Sequence, residues 1–312
     1  AYVGNAARNQ LVNRQINGRP YGYAYQAANL DPSNISNGQA QPYLDDLLRP
    51  YRGYGSITQR EFTGYSDYGS LQFSVNRRRS ADGLSLGMSY TYELKNKTLS
   101  TIDPFLDDNR ARNYTQNGRR KHNLVINYSY EPPKFNGNAV LGRILNDWQL
   151  SGITSILSGS RPGFSYSFTG VPTGTLSGTG AISGNAGRVD ILCDPNLPRG
   201  ERTFTRQFKT ECIGPPSDTN RLGNAMNDEL QGPGYVNFDI SLFKNVPVGG
   251  NRRLQFRVEL YNAFNHDQFT GVNTGAQFDF VTKQLSNPTA FGYLSGATLS
   301  ARRIQLGARF TF

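Results

Sequence analysis

The sequence predicts an all-β protein, an antiparallel transmembrane β-barrel, and three observations support this. Segments of about ten residues alternate between apolar and polar side chains, the period expected of strands with two different faces. No stretch approaches the roughly 18 consecutive apolar residues that a membrane-spanning helix needs. Short connections alternate with long ones, a pattern typical of barrels with short periplasmic turns and long extracellular loops.

The C-terminal strand carries the clearest alternation, because it continues to the final residue. A phenylalanine that ends the chain on the apolar face resembles the C-terminal signal by which bacterial outer-membrane barrels are recognised for insertion. We therefore expect Phe310 and Phe312 to present this strand to the barrel-assembly machinery. A soluble edge strand would show the same alternation. The apolar set is Ile304, Leu306, Ala308, Phe310 and Phe312.

Seven segments upstream repeat the pattern, so that about eight strands are predicted. Asp82-Gly83 lies between two alternating runs and is a strong hairpin signal. Trp148 begins the fifth strand and is expected at a membrane interface, where aromatic side chains are enriched. The predicted strands are 1–10, 66–79, 84–98, 120–132, 147–164, 235–247, 253–265 and 302–312.

The whole chain, 1–312, is predicted to be one portion of a barrel. Its largest connection is rich in Gly, Ser, Thr and Pro, and is either a functional extracellular loop or a solvated lid. Six tyrosines in the first long loop could stack on sugar rings or bases, or lie at the membrane interface: Tyr21, Tyr23, Tyr25, Tyr43, Tyr51 and Tyr54. The predicted long loops are 11–65, 99–119, 165–234 and 266–301.

The composition fits strands that are half polar. Only 37% of the residues are hydrophobic, while 34 Gly, 18 Tyr and 18 Phe suit many turns and aromatic belts. The net charge of +10 raises nucleic acid as a partner. Because the arginines are dispersed and no nucleic-acid-binding motif is present, we expect no nucleic acid. Instead, the arginines are expected to line a polar lumen or to meet anionic lipid headgroups of the outer membrane.

Two cysteines, Cys193 and Cys212, lie in a polar, Pro-containing stretch without CxxC or Cys/His spacing. A disulfide that closes a surface loop is the favoured interpretation, and it implies an oxidising compartment. Loop-closure entropy would make it worth roughly 3 kcal/mol. Two free thiols remain the alternative.

No enzyme, cofactor or metal site is predicted. His122 and His266 are the only histidines, and neither has a partner at catalytic or metal-ligand spacing. Asp103, Asp107 and Asp108 lack EF-hand spacing and are expected to form a solvated acidic loop. The glycines of 174–187 do not follow a strand into a helix, so phosphate binding is not indicated.

Five charged residues are predicted to face the lumen from adjacent strands. They could form a charge ladder along a permeation path, or a wall network whose charges satisfy one another. They are Asp239, Arg257, Glu259, Arg303 and Arg309.

Several segments resemble the C-terminal third of Oar-like TonB-dependent receptors. The longest read GYVNFDISLFKN at 234–245 and RVELYNAFNH at 257–266. Shorter matches cover almost the whole chain in order: 2–4, 68–72, 147–152, 158–162, 291–292 and 302–307.

The resemblance implies a 22-stranded barrel around an N-terminal plug, coupled to a TonB-type energy complex. Neither plug nor TonB box is present here, so the chain is expected to be a fragment or a processed product. We expect transport of an unknown ligand without covalent chemistry. Three alternatives stay open: an adhesive or structural surface barrel, a self-closed eight-stranded barrel, and a soluble carbohydrate-binding sandwich.

Overall fold

The structure is a computed structural model that describes residues 1–19, 23, 26–36, 39–102, 114, 120–169, 188–216, 223–250, 252–297 and 301–312. None of the helices in these ranges has the length and apolar character needed to cross a membrane. Three short 3-10 helices cover Ala27–Asn29, Arg199–Glu201 and Thr210–Cys212, and the α-helices are α1 (Asp45–Leu48) and α2 (Ala139–Leu145). The strands are β1 (Tyr2–Gln15), β2 (Leu30–Ser36), β3 (Gln39–Pro42), β4 (Thr58–Arg77), β5 (Leu84–Leu99), β6 (Thr101–Ile102), β7 (His122–Tyr130), β8 (Trp148–Leu157), β9 (Ser165–Thr169), β10 (Asp190–Ile191), β11 (Ile213–Gly214), β12 (Tyr235–Gly249), β13 (Arg252–Tyr261), β14 (Phe269–Val272), β15 (Gly275–Asp279), β16 (Leu294–Ala297) and β17 (Arg303–Thr311).

One large sheet, the wall, contains the eight long strands in the order β17-β13-β12-β8-β7-β5-β4-β1, with the short β6 beside β1. All neighbours are antiparallel except β6, which runs parallel to β1. The all-β, mostly antiparallel architecture predicted from the sequence is confirmed. Within the described residues β17 and β6 lie at opposite edges, so the sheet is open and the self-closed eight-stranded alternative is not what forms.

The pairing register aligns the apolar residues of neighbouring strands in rows on one face of the wall. Leu150 pairs with Leu242, Leu242 with Val258, and Val258 with Leu306. Leu150, Leu242 and Leu306 are exposed, Leu306 by 75%, while Val258 is half-buried. One residue along each strand, the opposite face presents Ser151, Ser241, Glu259 and Gln305 in register. The wall therefore has one exposed apolar face and one polar face.

The two ends of the wall differ. The turn end carries the connections 78–83, 131–147 and 250–251, the second of which contains α2. The loop end carries the long connections. This distribution agrees with the predicted alternation of short and long links.

The strands β1 and β4 extend further than predicted. β4 contains 20 residues, so the first long connection covers 16–57 instead of 11–65. An ion pair lies in this extension, with Arg14 3.7 Å from Glu61, and a second one lies just before it, with Arg8 2.8 Å from Asp67. Because charges replace the apolar residues here, the alternation fades and the sequence did not reveal that pairing continues.

Asn17 organises the connection 16–57. Its buried amide donates to the carbonyl oxygens of Tyr51, Tyr54 and Gly55 and accepts from the Tyr51 amide at 2.8 Å. Arg49, also buried, donates to the Asn17 carbonyl oxygen at 2.8 Å. A polar centre therefore fixes the described part of this loop.

The predicted loops 165–234 and 266–301 are not independent. Their described residues pack together into what we call the loop assembly: 164–169, 188–216, 223–234 and 264–297. β9 from the first loop pairs in parallel with β15 from the second. Eleven buried residues form its core: Tyr166, Phe168, Val189, Phe208, Ile213, Ala225, Leu230, Val272, Ala276, Phe278 and Phe291. The sequence predicted two separate long loops and did not indicate that both contribute to one hydrophobic core, seven residues from the first and four from the second.

Candidate functional site

A cavity of about 910 Å³ lies where the loop assembly meets the loop end of the wall. The wall contributes His122, Ile156, Leu157 and Val236. These residues lie at the ends of β7, β8 and β12, so their positions follow directly from the pairing register.

Close backbone contact brings the loop assembly down onto the wall beside the cavity. The Gly232 amide donates to the Ser160 carbonyl oxygen at 2.8 Å. A Cβ on Gly159 would lie 1.8 Å from the Gly232 carbonyl oxygen, closer than any real contact. Glycine at 159 is therefore required for this approach, and the adjacent Arg161 lines the cavity.

Three arginines give the cavity its cationic character: Arg161, Arg199 and Arg202. Arg202 donates to the carbonyl oxygens of Leu197 at 3.0 Å and Gln231 at 2.8 Å, which holds its side chain across the loop. Burial, followed by repulsion from Arg199, lowers the pKa of Arg202, but a guanidinium stays protonated in proteins. In the described part of the chain, Arg161 and Arg199 make no hydrogen bond or ion pair.

Two carboxylates also line the cavity, and each is engaged by its own loop. Asp194 accepts from the amide and the side chain of Asn196, both at 3.0 Å, and these bonds lower the pKa of Asp194. Glu229 accepts from the Met226 amide at 2.8 Å. The cavity thus combines two carboxylates that accept hydrogen bonds from their own loop with two guanidinium groups whose N–H donors make no hydrogen bond in the described structure. Such donors match the geometry of carboxylate or phosphate groups.

The disulfide lies at the rim of this cavity. Cys193 and Cys212 are bonded, and they join the ends of β10 and β11 across 19 residues. Asp194 follows Cys193 directly, and its carbonyl oxygen is 3.5 Å from the Cys212 sulfur. The covalent link therefore holds one of the charged cavity residues in place.

Tyr114 connects the second long loop to the loop assembly. Its buried ring lies 4.1 Å from the Lys97 ammonium on β5, and its hydroxyl donates to Asp228 at 2.6 Å. The predicted acidic loop residues Asp103, Asp107 and Asp108 lie outside the described residues, as do 174–187. The loop assembly is thus tied to the wall from more than one side.

The five predicted lumen charges lie on the polar face of β12, β13 and β17. The Arg257 stem crosses Gly307, where a Cβ would lie 2.8 Å from its Cγ, and its guanidinium donates to Gln255 at 3.3 Å. Asp239 accepts from the Asn262 amide at 2.9 Å. Among the described residues, no ion pair joins any two of the five. The set is Asp239, Arg257, Glu259, Arg303 and Arg309.

The predicted interface and insertion residues lie near the turn end. Trp148 stands opposite Lys244 in the register, and its indole donates to the Ile144 carbonyl oxygen at 2.7 Å. Phe310 pairs with Leu254 at the β17 edge, while Phe312 is 93% exposed. Trp148, Phe310 and Phe312 therefore lie on the same side as the apolar face of the wall.

Both histidines make hydrogen bonds at the loop end. The Tyr90 hydroxyl is 2.8 Å from His122 Nδ1, and His266 Nδ1 is 3.3 Å from the Val236 carbonyl oxygen. The described residues contain no group of three His, Cys, Asp or Glu side chains that could hold a metal ion. Of the six loop tyrosines, Tyr43, Tyr51 and Tyr54 are exposed, and Tyr21 and Tyr25 lie outside the described residues.

The sequence gives no signal that the three cavity arginines come together. Arg161 falls in the predicted strand 147–164, close to the end of β8. Arg199 and Arg202 are visible as a pair in a Pro-Arg-Gly-Glu-Arg stretch, but nothing local links them to the ends of β8 and β12, because that link depends on the folding of the loop assembly.

Comparison with known proteins gives the family. The model of a family described as an outer membrane beta barrel domain matches residues 1–305. No curated protein matches the chain. Among solved structures, the outer membrane transporter YddB from Escherichia coli is similar, with 9% identity and a TM-score of 0.40. The similarity covers 98% of this chain and 29% of that one, so this chain spans less than a third of the length of YddB. The chain belongs to the outer membrane β-barrel domain family, and its location is the bacterial outer membrane.

Proposed function

We propose that this chain is the ligand-capturing portion of a TonB-dependent, Oar-like receptor that moves a ligand across the outer membrane without covalent chemistry. The observation that carries the proposal is the cationic cavity between the loop assembly and the wall. It joins a folded external structure to the end of a membrane-spanning sheet, which is where a captured ligand would pass from one to the other.

The ligand class follows from the residues of the cavity. Arg161 and Arg199 have free donors in the described structure, and the partly buried Arg202 adds a third positive charge. A guanidinium pairs with carboxylate or phosphate through two parallel hydrogen bonds. The ligand is therefore an anionic compound, or carries an anionic group that enters this cavity. The polar face of the wall, with its five charges, is the proposed lumen lining.

Energy coupling rests on the resemblance to TonB-dependent receptors. A plug and a TonB-binding segment would belong to polypeptide outside the 312 residues. The remaining partners are outer-membrane lipid on the apolar face and the barrel-assembly machinery at the C-terminal strand. The exposed apolar rows of the wall support contact with lipid, and their end at Phe310 and Phe312 supports recognition by the assembly machinery.

Binding and uptake of small anions test the proposal. Citrate and inorganic phosphate serve as probes in calorimetry on the membrane-extracted protein, and labelled citrate serves in cells. We expect the double variant Arg161→Gln/Arg199→Gln to weaken binding about tenfold or more, since each hydrogen bond to a charged group contributes about 1.5–3 kcal/mol. Arg206→Gln is the matched control, because Arg206 belongs to the loop assembly but pairs with Glu211 at 2.8 Å outside the cavity.

The adhesive alternative is favoured by one observation, the buried core of the loop assembly, since a rigid external structure could equally present a binding surface. Uptake separates the two functions. A transporter accumulates the label only while the membrane is energised, so a protonophore should abolish accumulation and leave surface binding intact. Binding with no energy-dependent accumulation would favour adhesion, and equal affinity of the double variant and the control would remove the cavity from either function.

A further inference from the structure

A second surface without a protein partner lies at the turn end, on α2. Val140, Leu141, Ile144 and Leu145 are all exposed, and Val140 is 67% exposed. Their spacing of one and four residues places them on one side of the helix, with Arg143 on the other side. A helix of two turns thus presents a continuous apolar face outward.

Several polar contacts hold the helix. The Asn138 side chain accepts from the Val140 amide at 2.9 Å and caps the N-terminus. Asn146 bonds both the amide and the carbonyl oxygen of Phe135, at 2.6 Å and 3.1 Å. Lys244 donates to the Arg143 carbonyl oxygen at 2.8 Å and to that of Ile144 at 3.0 Å. None of these contacts uses an apolar side chain of the helix, so its apolar face remains available.

The C-terminal end of α2 rests on the apolar face of the wall. Trp148 and Lys244 pair in the register and lie on the same face as Leu150 and Leu242, one step nearer the turn end. The Lys244 ammonium lies 5.1 Å from the Trp148 ring. Trp and Lys side chains are typical of the boundary between lipid tails and headgroups. The C-terminal end of the helix therefore lies beside the end of the lipid-facing rows.

We propose that α2 is an interfacial helix, with its apolar face immersed in the phospholipid leaflet at the turn end of the wall. Short amphipathic helices bind in this way when one face is apolar and the other polar or basic. Phospholipid is the occupant that the structure favours, because the apolar face is continuous with the lipid-facing rows of a membrane barrel. The basic residues Arg143 and Lys134 lie beside it, where headgroup phosphates are found.

Site-directed spin labelling on the helix tests this placement. Single cysteine variants Leu141→Cys and Arg143→Cys put a nitroxide on the apolar and the polar side of α2, because residues two apart lie on nearly opposite sides of a helix, with the protein assembled in phosphatidylcholine vesicles. No native cysteine in the described residues is free to react with the label. Collision rates are measured with molecular oxygen, which concentrates in lipid, and with a water-soluble nickel chelate.

We expect the ratio of oxygen to nickel collisions to be several-fold higher at position 141 than at 143. Leu145→Cys provides a second apolar position if Leu141→Cys assembles poorly. A ratio that favours nickel at both 141 and 143 would place the helix in water and overturn the proposal. Exclusion of both reagents from position 141 would also overturn it, because it would show a covering protein instead of lipid.

Discussion

The wall and the loop assembly use the same apolar residue types in opposite ways. In the wall, the side chain of Leu306 is 75% exposed. In the loop assembly, Phe168 is completely buried among other rings, including Phe280 at 5.4 Å. A single chain therefore removes apolar surface from water by two means, since lipid covers the wall while protein covers the loop core.

The two regions also satisfy their backbone groups differently. The wall pairs long strands edge to edge, which leaves few unpaired groups between its strands. The strands of the loop assembly contain only two to five residues, so it depends on core packing, a disulfide and side chains bonded to backbone amides. Perturbations aimed at one region should therefore leave the other region intact.

Loss of Phe312 should have the largest effect on the wall. Deletion of this residue, or Phe312→Asp, removes the end of the apolar face that we expect the assembly machinery to recognise. Most of the protein should fail to reach the outer membrane, as measured by membrane fractionation and heat-modifiable gel migration. Thr311→Ala, one residue away on the polar face, is the control. Normal assembly of the deletion variant would show that the terminal aromatic is not a signal.

Phe168→Ala should destabilise the loop assembly by about 3–5 kcal/mol, the usual range for removing a buried aromatic side chain. Hydrogen exchange of residues 164–169 and 275–279 measures the loss, because β9 and β15 pair there. Leu306→Ala is the matched wall variant, and it should change the exchange of these segments very little. If both variants loosened the loop assembly equally, the two regions would not be independent.

Removal of the disulfide should have a slightly smaller effect. Cys193→Ser/Cys212→Ser frees a closed loop and should cost roughly 3 kcal/mol by loop-closure entropy. The expected result is faster proteolysis within 188–216 and weaker anion binding, with unchanged assembly of the wall. Ser85→Ala on β5 serves as a neutral substitution. Unaltered proteolysis would show that the core alone fixes this segment.

Acid should produce the smallest change. Asp279 accepts hydrogen bonds from the Thr282 amide and hydroxyl and from the Val281 amide, and these bonds, chiefly those from Thr282, hold its pKa below the ordinary value of 3.8. Because the folded state binds this proton less readily, the stabilisation is present above the ordinary pKa and is lost as pH falls through the lowered one. Asp279→Asn should flatten the acid unfolding curve of the loop assembly between those two values. An unchanged curve would assign the acid sensitivity to other carboxylates.

The wall could be predicted because its signal is local. Leu84, Leu86 and Met88 alternate within five residues, and the register then follows from short turns such as 78–83. The loop assembly could not be predicted, because β9 and β15 are separated by about a hundred residues and contain five each. The alternation of Phe164, Tyr166 and Phe168 was visible, but nothing in the sequence indicated its partner.

The candidate site could also be predicted only where its signal is local. Alternation in the sequence put Asp239, Arg257 and Glu259 on one face, and the pairing register does the same, while their position in a lumen stays a prediction. The cavity arginines escaped notice because their neighbours come from other parts of the chain. α2 was missed for a different reason: seven residues are too few for a helical repeat to stand out, and its stability comes from Asn138, Asn146 and Lys244.

The unequal strand lengths give the protein an uneven outline toward the outside of the cell. Along the register, Leu157 at the end of β8 is level with Gln72 of β4. β4 then continues from Leu71 to Thr58, which at roughly 3.3 Å per residue adds about 45 Å along the strand. The hairpin of β1 and β4 therefore rises from the wall by strand pairing alone, whereas the residues beyond the end of β8 rise from it by packing around a hydrophobic core.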